Sequence, residues 1–258
     1  MILLDIQDLQ VIFKGDSTPK EILKGLNLQM EEMQIVSLVG GSGSGKTMTG
    51  LSILRLLPLG MSVSRGKILY RNQNLLDYPE DQMRALRGKE ISMIFQEPLS
   101  AFNPVFTIGS QIEEVLIYHM KLKRRERKNR TYELLDLAGI SDPKRVARSY
   151  PHQLSGGMRQ RAMIAQAIAA EPRLLIADEP TSNLDVTLQA MMMELFRKLK
   201  SQLKLSILLI THDLGVVAHL ADKAVVLFDG RTVEEGRPQD ILSNPKHPFT
   251  SELIKTIT

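Results

Sequence analysis

The octet Gly40-Gly41-Ser42-Gly43-Ser44-Gly45-Lys46-Thr47 sits between the apolar run IVSLV and a stretch of helical period, and that order constrains the chain more than any other feature. It fits GxxxxGK[ST], a strand–loop–helix turn whose glycines let backbone N–H groups converge on phosphate oxygens without Cβ interference, while the helix N-terminus adds positive potential. In that frame Lys46 contacts the β- and γ-phosphates of a nucleotide and Thr47 offers its hydroxyl to Mg2+. The bland alternative, a glycine-rich turn with an accidental Lys-Thr, is disfavoured by the strand before it and the helix after it.

The chain on either side reads as α/β. Two β-rich runs, Leu3–Phe13 and Ile22–Met30, precede the strand Gln34–Val39, and a helix is expected over Gly45–Leu57, ended by Pro58. Strand signals return at Lys67–Tyr70 and Glu90–Phe95, and from Thr107 to about Ala147 the pattern is helical and polar, like an inserted helical unit. A helix from Gly156 to Ala170 feeds the buried-strand pattern LLIAD. Helix and strand then alternate over Val186–Leu203, Ser206–Thr211, Leu214–Ala221 and Ala224–Phe228, which indicates a largely parallel sheet. With no internal repeat or low-complexity linker, one nucleotide-binding domain over 1–258 is expected. Its ATPase core with a β subdomain would take 1–96 and 154–240, a helical subdomain 97–153, and a short helical tail 241–258.

Composition removes other chemistries. The 258 residues contain no Cys, so thiolate catalysis, disulfides and Cys-based metal sites are excluded, and five His remain for acid–base or metal roles. The longest charge-free stretch, Pro98–Ile112, is shorter than the about 18 apolar residues that a membrane helix needs. The N-terminal MILLDIQDLQ has two Asp and no basic start, so it reads as a first strand and not as an export signal, with a cytoplasmic location as the default. The net charge of +4 comes entirely from KLKRRERKNR (121–130), where seven basic residues face only Glu126. That run reads as a solvated helix face, with acidic headgroups or a partner protein as the alternative. Nucleic acid is not an expected partner.

Two further motifs carry chemistry. LLIADE (174–179) puts two acids at the C-terminal end of a buried strand, where open α/β sheets bind ligands. Asp178 fits the Mg2+ side, through water, and Glu179 fits a base for the attacking water; by itself the pair could equally cap the next helix. LSGGMRQ (154–160) is a second Ser/Gly-rich helix start. Alone, Ser155 would be an ordinary N-cap; beside the first glycine loop it suggests a second element facing the nucleotide.

Taken in order, these motifs resemble the ATP-binding cassette family, the ATPase subunits of ABC transporters, over essentially the whole chain. The matching elements are the P-loop at 40–47, Gln96 after ISMIF, LSGGMRQ at 154–160, the strand ending in Asp178-Glu179, SNLD at 182–185 and His212 in ITHD. The resemblance implies that ATP and Mg2+ are bound by Gly40 through Thr47 and by Met48, with Phe13 stacking on adenine. It implies that Gln96 senses the γ-phosphate and Mg2+, that His212 contacts the γ-phosphate, and that Glu179 completes the catalytic set. Ser155, Gly156, Gly157 and Gln160 would act on the ATP of a second subunit, with Asp185 crossing the dimer interface. From the residues alone, Phe13 could be plain core, Asp185 a helix N-cap and His212 a surface histidine.

QEPLSAFNPVFTIGSQI, YPHQLSGGM and HPFT are similar to the peptide and nickel importer branch of that family. The absence of a Cys-bearing tail after Thr250 and SAFNP in place of SLNP lean the expectation toward nickel or a metal chelate over short peptides. The expected assembly is a peripheral ATPase on the cytoplasmic face of the inner membrane. It would be joined to two permease subunits and to a second ATPase, identical or paralogous, and served indirectly by an extracytoplasmic substrate-binding protein. Leu99, Phe102 and Phe106 are candidates for the permease dock, with subdomain core as the equal alternative. The competing functions are a soluble ABC ATPase acting on nucleic acid or ribosomes, and a non-hydrolysing ATP-binding module.

Overall fold

The computed structural model describes residues 1–15, 18–97, 101–182 and 184–255. In chain order the strands are β1 (Ile2–Phe13), β2 (Lys20–Glu31), β3 (Ile35–Val39), β4 (Met61–Tyr70), β5 (Gln73–Asn74), β6 (Ile91–Ile94), β7 (Leu174–Asp178), β8 (Ser206–Thr211), β9 (Lys223–Phe228) and β10 (Arg231–Gly236). The chain divides into two compact units, Met1–Arg84 with Ser206–Thr258 and Ala85–Leu205.

The first unit contains an antiparallel sheet in the order β2-β1-β4-β5 and the strand series β10-β9-β3-β8. In the series β9, β3 and β8 run parallel, and β10 returns antiparallel to β9 at the edge. All five residues of β3 and all six of β8 are buried, as expected of strands covered on both faces. β1 alternates instead, and its pairing shifts register around Asp8, which adopts a left-handed φ of 48°, so the strand bulges there. The two sheets meet where Lys24 N–H donates to the Gly230 carbonyl (2.8 Å) and Thr232 Oγ1 to the Asn27 carbonyl (2.6 Å).

Two differences from the sequence expectation have local causes. The helix after the glycine loop is Lys46–Ile53, one turn shorter than Gly45–Leu57. Arg55 takes a left-handed φ of 54° and its guanidinium donates to the carbonyls of Leu75 and Tyr78, which stops the helix before Pro58 acts. β4 begins at Met61, not Lys67, because Val63 and Met61 pair with Val11 and Phe13 across the sheet, a non-local contact that MSVSR does not advertise.

The second unit pairs β6 and β7 in parallel and surrounds them with helices Ile108–Met120, Arg124–Leu137, Pro143–Arg148, Gly156–Ala167 and Val186–Leu203. This division differs from a helical subdomain confined to 97–153. Helix 156–167 packs on the helices at 108–120 and 124–137 as well as on β6, so the helix that opens with LSGGMRQ, the signature, groups with the insertion, as do Asp178 and Glu179. The basic run forms the start of helix 124–137. Arg127 donates to the Leu122 carbonyl (2.6 Å) and Arg130 pairs with Glu133 and Glu171, while Lys121, Lys123, Arg124, Arg125 and Lys128 stand exposed.

Candidate functional site

The glycine loop is built where its sequence requires. Gly45 has φ 106°, and a Cβ there would lie 2.5 Å from Leu23 Cδ2; a Cβ on Gly40 would run into the Leu227 carbonyl oxygen, inside 3.0 Å. Around Gly43, by contrast, a Cβ would meet nothing within 4 Å, so the loop is packed on its inner side and open on its outer side. Ser42 and Gly43 are exposed, Gly41, Thr47 and Met48 are half-buried, and Ser44 and Lys46 are buried. Lys46 Nζ donates to the carbonyls of Gly40 (2.8 Å) and Gly41 (2.9 Å), which folds the ammonium over the loop's own concave side.

Two other expected residues belong to the same unit. Phe13 ends β1, 38% exposed, and its ring fills the space beside Gly15 and Gly60, where a Cβ would come within 2.9 Å of it. His212 is exposed directly after β8. The turn braces itself: Asp213 N–H donates to Thr211 Oγ1 (3.0 Å), and the Asp213 carboxylate caps helix Leu214–Leu220 by accepting from Gly215 and Val216.

The second unit carries the acids. Asp178, 2% exposed, is the last residue of β7, and Glu179 follows with φ 48°, a left-handed backbone in a residue with a Cβ. Such a conformation costs about 1–3 kcal/mol and persists only where neighbours enforce it. Ser182 does so, donating both its Oγ (2.8 Å) and its N–H (3.2 Å) to the Glu179 carbonyl. Ser182 opens the SNLD run noted in the sequence, but this role had no signal there beyond a hydroxyl three residues after the acid. Gln96 is exposed two residues beyond β6. Thr47, Gln96 and Asp178 offer hydroxyl, amide and carboxylate oxygens, the hard donors that suit Mg2+ over softer metals.

Ser155 N-caps helix 156–167, its Oγ accepting from Met158 N–H (3.4 Å). Ser155 and Gly156 are exposed, and a Cβ on Gly156 would meet nothing within 4 Å. Asp185 caps helix 186–203 through Leu188 N–H (2.9 Å), so the capping reading holds for its side chain. The signature and this cap line one cavity of about 550 Å³, together with Arg145, Arg161 and Met191. Gln160 is only 5% exposed and packs within its own unit, while Ser155 and Gly156 of the same motif are exposed. Of the two readings open for Phe102 the core one holds, since it is 3% exposed, whereas Val105 and Phe106 are exposed; Leu99 and Asn183 lie outside the described residues. Gln111, quoted in the sequence only as part of QEPLSAFNPVFTIGSQI and given no role there, is buried and holds that exposed loop. It accepts from Asn103 N–H (2.9 Å) and donates to the carbonyls of Asn103 (3.0 Å) and Phe106 (3.1 Å).

Comparison with known proteins shows which family the chain is similar to. The profile of the family described as ABC transporter matches residues 23–182. The chain is 43% identical over 256 residues to the oligopeptide transport ATP-binding protein OppD of Bacillus subtilis (strain 168), covering 99% of this chain and 72% of that protein. It is 44% identical over 257 residues to the dipeptide transport ATP-binding protein DppD of Haemophilus influenzae, covering 100% and 78%. Among solved structures, the dimeric post-hydrolysis state of the ATP-binding cassette MJ0796 bound to ADP and Pi superposes with a TM-score of 0.82 at 28% identity, covering 92% of this chain and 99% of that one.

Proposed function

The chain belongs to the ATP-binding cassette family, the ATP-hydrolysing subunits of ABC transporters, and from that premise we propose that it powers peptide import through a membrane permease, two ATPase subunits closing on each ATP. The observation that carries the paired arrangement is the signature turn: its Ser155 and Gly156 are capped, oriented and exposed, with open space where a side chain would be. Peptide cargo is supported by the names of the relatives, oligopeptide and dipeptide transport proteins. The lean toward nickel drawn from the Cys-free tail has no counterpart in them.

In this reading the amides of the 40–47 loop and the Lys46 ammonium neutralise charge on the transferred phosphoryl group, Phe13 stacks on the adenine, and His212 contacts the γ-phosphate. Glu179 accepts the proton of the attacking water, its carboxyl aimed by the left-handed turn that Ser182 holds. Thr47, Asp178 and Gln96 would hold Mg2+, which when bound supplies further charge neutralisation and orients the phosphates. Ser155 and Gly157 of the second subunit complete the γ-phosphate's surroundings. Among the described residues no helix is long and apolar enough to cross a membrane, so attachment comes through the permease, with the loop at Val105 and Phe106 as the contact. The experiment is reconstitution with the permease in proteoliposomes. ATP-dependent uptake of a labelled tripeptide is expected, lost in Lys46→Ala; uptake of nickel ion and not of peptide would reassign the cargo.

A further inference from the structure

A phosphate-binding loop has to keep its backbone donors aligned although its leading glycines have no side chains to anchor them. Here the support comes from the far end of the chain. Gly230 N–H donates to the Ser44 carbonyl at 3.1 Å, and the Leu227 carbonyl fills the space beside Gly40, so the β9–β10 turn lies along the loop. Phe228, the last residue of β9, stacks on Phe249 with ring centroids 4.2 Å apart and planes 29° from parallel. The atom that a Cβ at Gly41 would meet is Phe249 Cζ, at 4.0 Å.

Phe249 is itself tied down. The Glu234 carboxylate accepts the N–H groups of Lys246 (2.9 Å) and His247 (3.1 Å), and His247 Nδ1 accepts the Phe249 N–H (3.2 Å). Its ring packs against a buried cluster of Val39, Leu214, Val217, Ala224, Val226 and Ile241. Val39 is the residue from which the loop departs, and Leu214 follows His212 by two positions. Phe228 is 43% exposed, so this stack is no deep core pair; it stands at the surface beside the half-buried Gly41.

We propose that Phe249, seated on Phe228, is a positioning residue for the phosphate-binding loop, which it backs at Gly41, so that the segment 246–249 serves nucleotide binding as well as the fold. The proposal rests on the reading of residues 40–47 as the nucleotide loop. An aromatic pair adds attraction beyond its buried area, and without it the Gly40–Gly41 turn loses the ring beside Gly41 while keeping the Lys46 ammonium and its β9–β10 side.

The test titrates the full-length chain with a fluorescent ATP analogue, follows steady-state ATPase, and records thermal melts for wild type, Phe249→Ala, Phe249→Tyr, Glu234→Gln and Lys46→Ala. Phe249→Ala is expected to weaken nucleotide affinity about three- to tenfold and to raise KM with kcat little changed, while Phe249→Tyr restores affinity. Glu234→Gln, which loosens the segment without removing a ring, should shift affinity the same way by about twofold, and it decides alone if Phe249→Ala does not fold. Unchanged affinity in a folded Phe249→Ala, or in Glu234→Gln where that must decide, overturns the proposal, as does a melt loss without a KM change. If Lys46→Ala binds like wild type, the reading of the loop fails instead, which keeps the two failures distinguishable.

Discussion

A methyl group added at Gly40 would collide with a backbone carbonyl and one added at Gly45 with Leu23, whereas one added at Gly156 would meet nothing. Both regions are glycine-rich helix starts, yet the first is packed by its own chain at Gly40 and Gly45 and the second meets open space at Gly156. In the first, glycine is demanded by close approach within one subunit; in the second, the fold of the isolated subunit gives glycine no reason to be there. The difference teaches that glycine in the phosphate loop answers to close neighbours inside the subunit, whereas at Gly156 in LSGGMRQ no such neighbour stands, the contrast from which the proposed two-subunit site starts.

The largest effect should come at Glu179, the acid proposed as the base. Glu179→Gln is expected to keep MgATP affinity and to slow hydrolysis by about 10²-fold or more, read from single-turnover kinetics; near-normal turnover would remove Glu179 from the chemistry. Next, Gly40→Ala must push a backbone segment aside, so ATP affinity should fall about tenfold or more with a lower melting temperature. Gly156→Ala sharpens the contrast: the isolated subunit's ATP affinity and stability should stay within about twofold and about 0.5 kcal/mol of wild type, the loss appearing only in the assembled ATPase. If Gly156→Ala destabilises the lone subunit as Gly40→Ala does, the two regions are not built differently.

Smaller again is Ser182→Ala. Losing one neutral hydrogen bond to the Glu179 carbonyl should lower kcat by about three- to tenfold with ATP affinity held, and a change in affinity alone would contradict its role in aiming the base. Smallest is the basic helix start, where Arg124, Arg125 and Lys128 stand exposed. Replacing all three by Gln is expected to leave ATPase and transport within about twofold; selective loss of membrane assembly would turn that solvated face into a contact.

The placement of most candidate site residues was readable from the sequence because they fall in short runs. The loop, LSGGMRQ, the Asp178-Glu179 pair and His212 each sit at a strand end or helix start whose apolar or helical pattern lies in the adjoining residues. Helix Val186–Leu203 and strand Ser206–Thr211 run as expected for the same reason. What escaped was non-local. β10 is an edge strand of mixed polarity, Arg231–Gly236, without the buried pattern of its neighbours, and its pairing with β9 brings Gly230 to Ser44. Gln160 belongs to the motif but lies on the inner side of its helix, and Phe102 faces inward while Phe106 does not; burial on one helix or loop is decided by what packs there, which the motif does not encode. Ser182 and Gln111 act through backbone carbonyls, and such bonds leave no residue pattern to find.

The central claim, that each ATP is enclosed by the loop of one subunit and the signature turn of another, is tested most directly by mixing two dead variants. Lys46→Ala removes the phosphate contact, and Gly157→Asp sets a carboxylate where the γ-phosphate would be met. In a dimer of either variant every site is broken, but a mixed dimer has one site with both elements intact, Lys46 from one chain and Gly157 from the other. With mixed assembly verified by native mass spectrometry, in the homodimer or with one lesion in each chain of a paralogous pair, the account predicts partial recovery of ATP hydrolysis on mixing. No recovery in verified mixed dimers, when a dimer carrying a single broken site still turns over, would contradict it and place the signature turn on the nucleotide of its own chain.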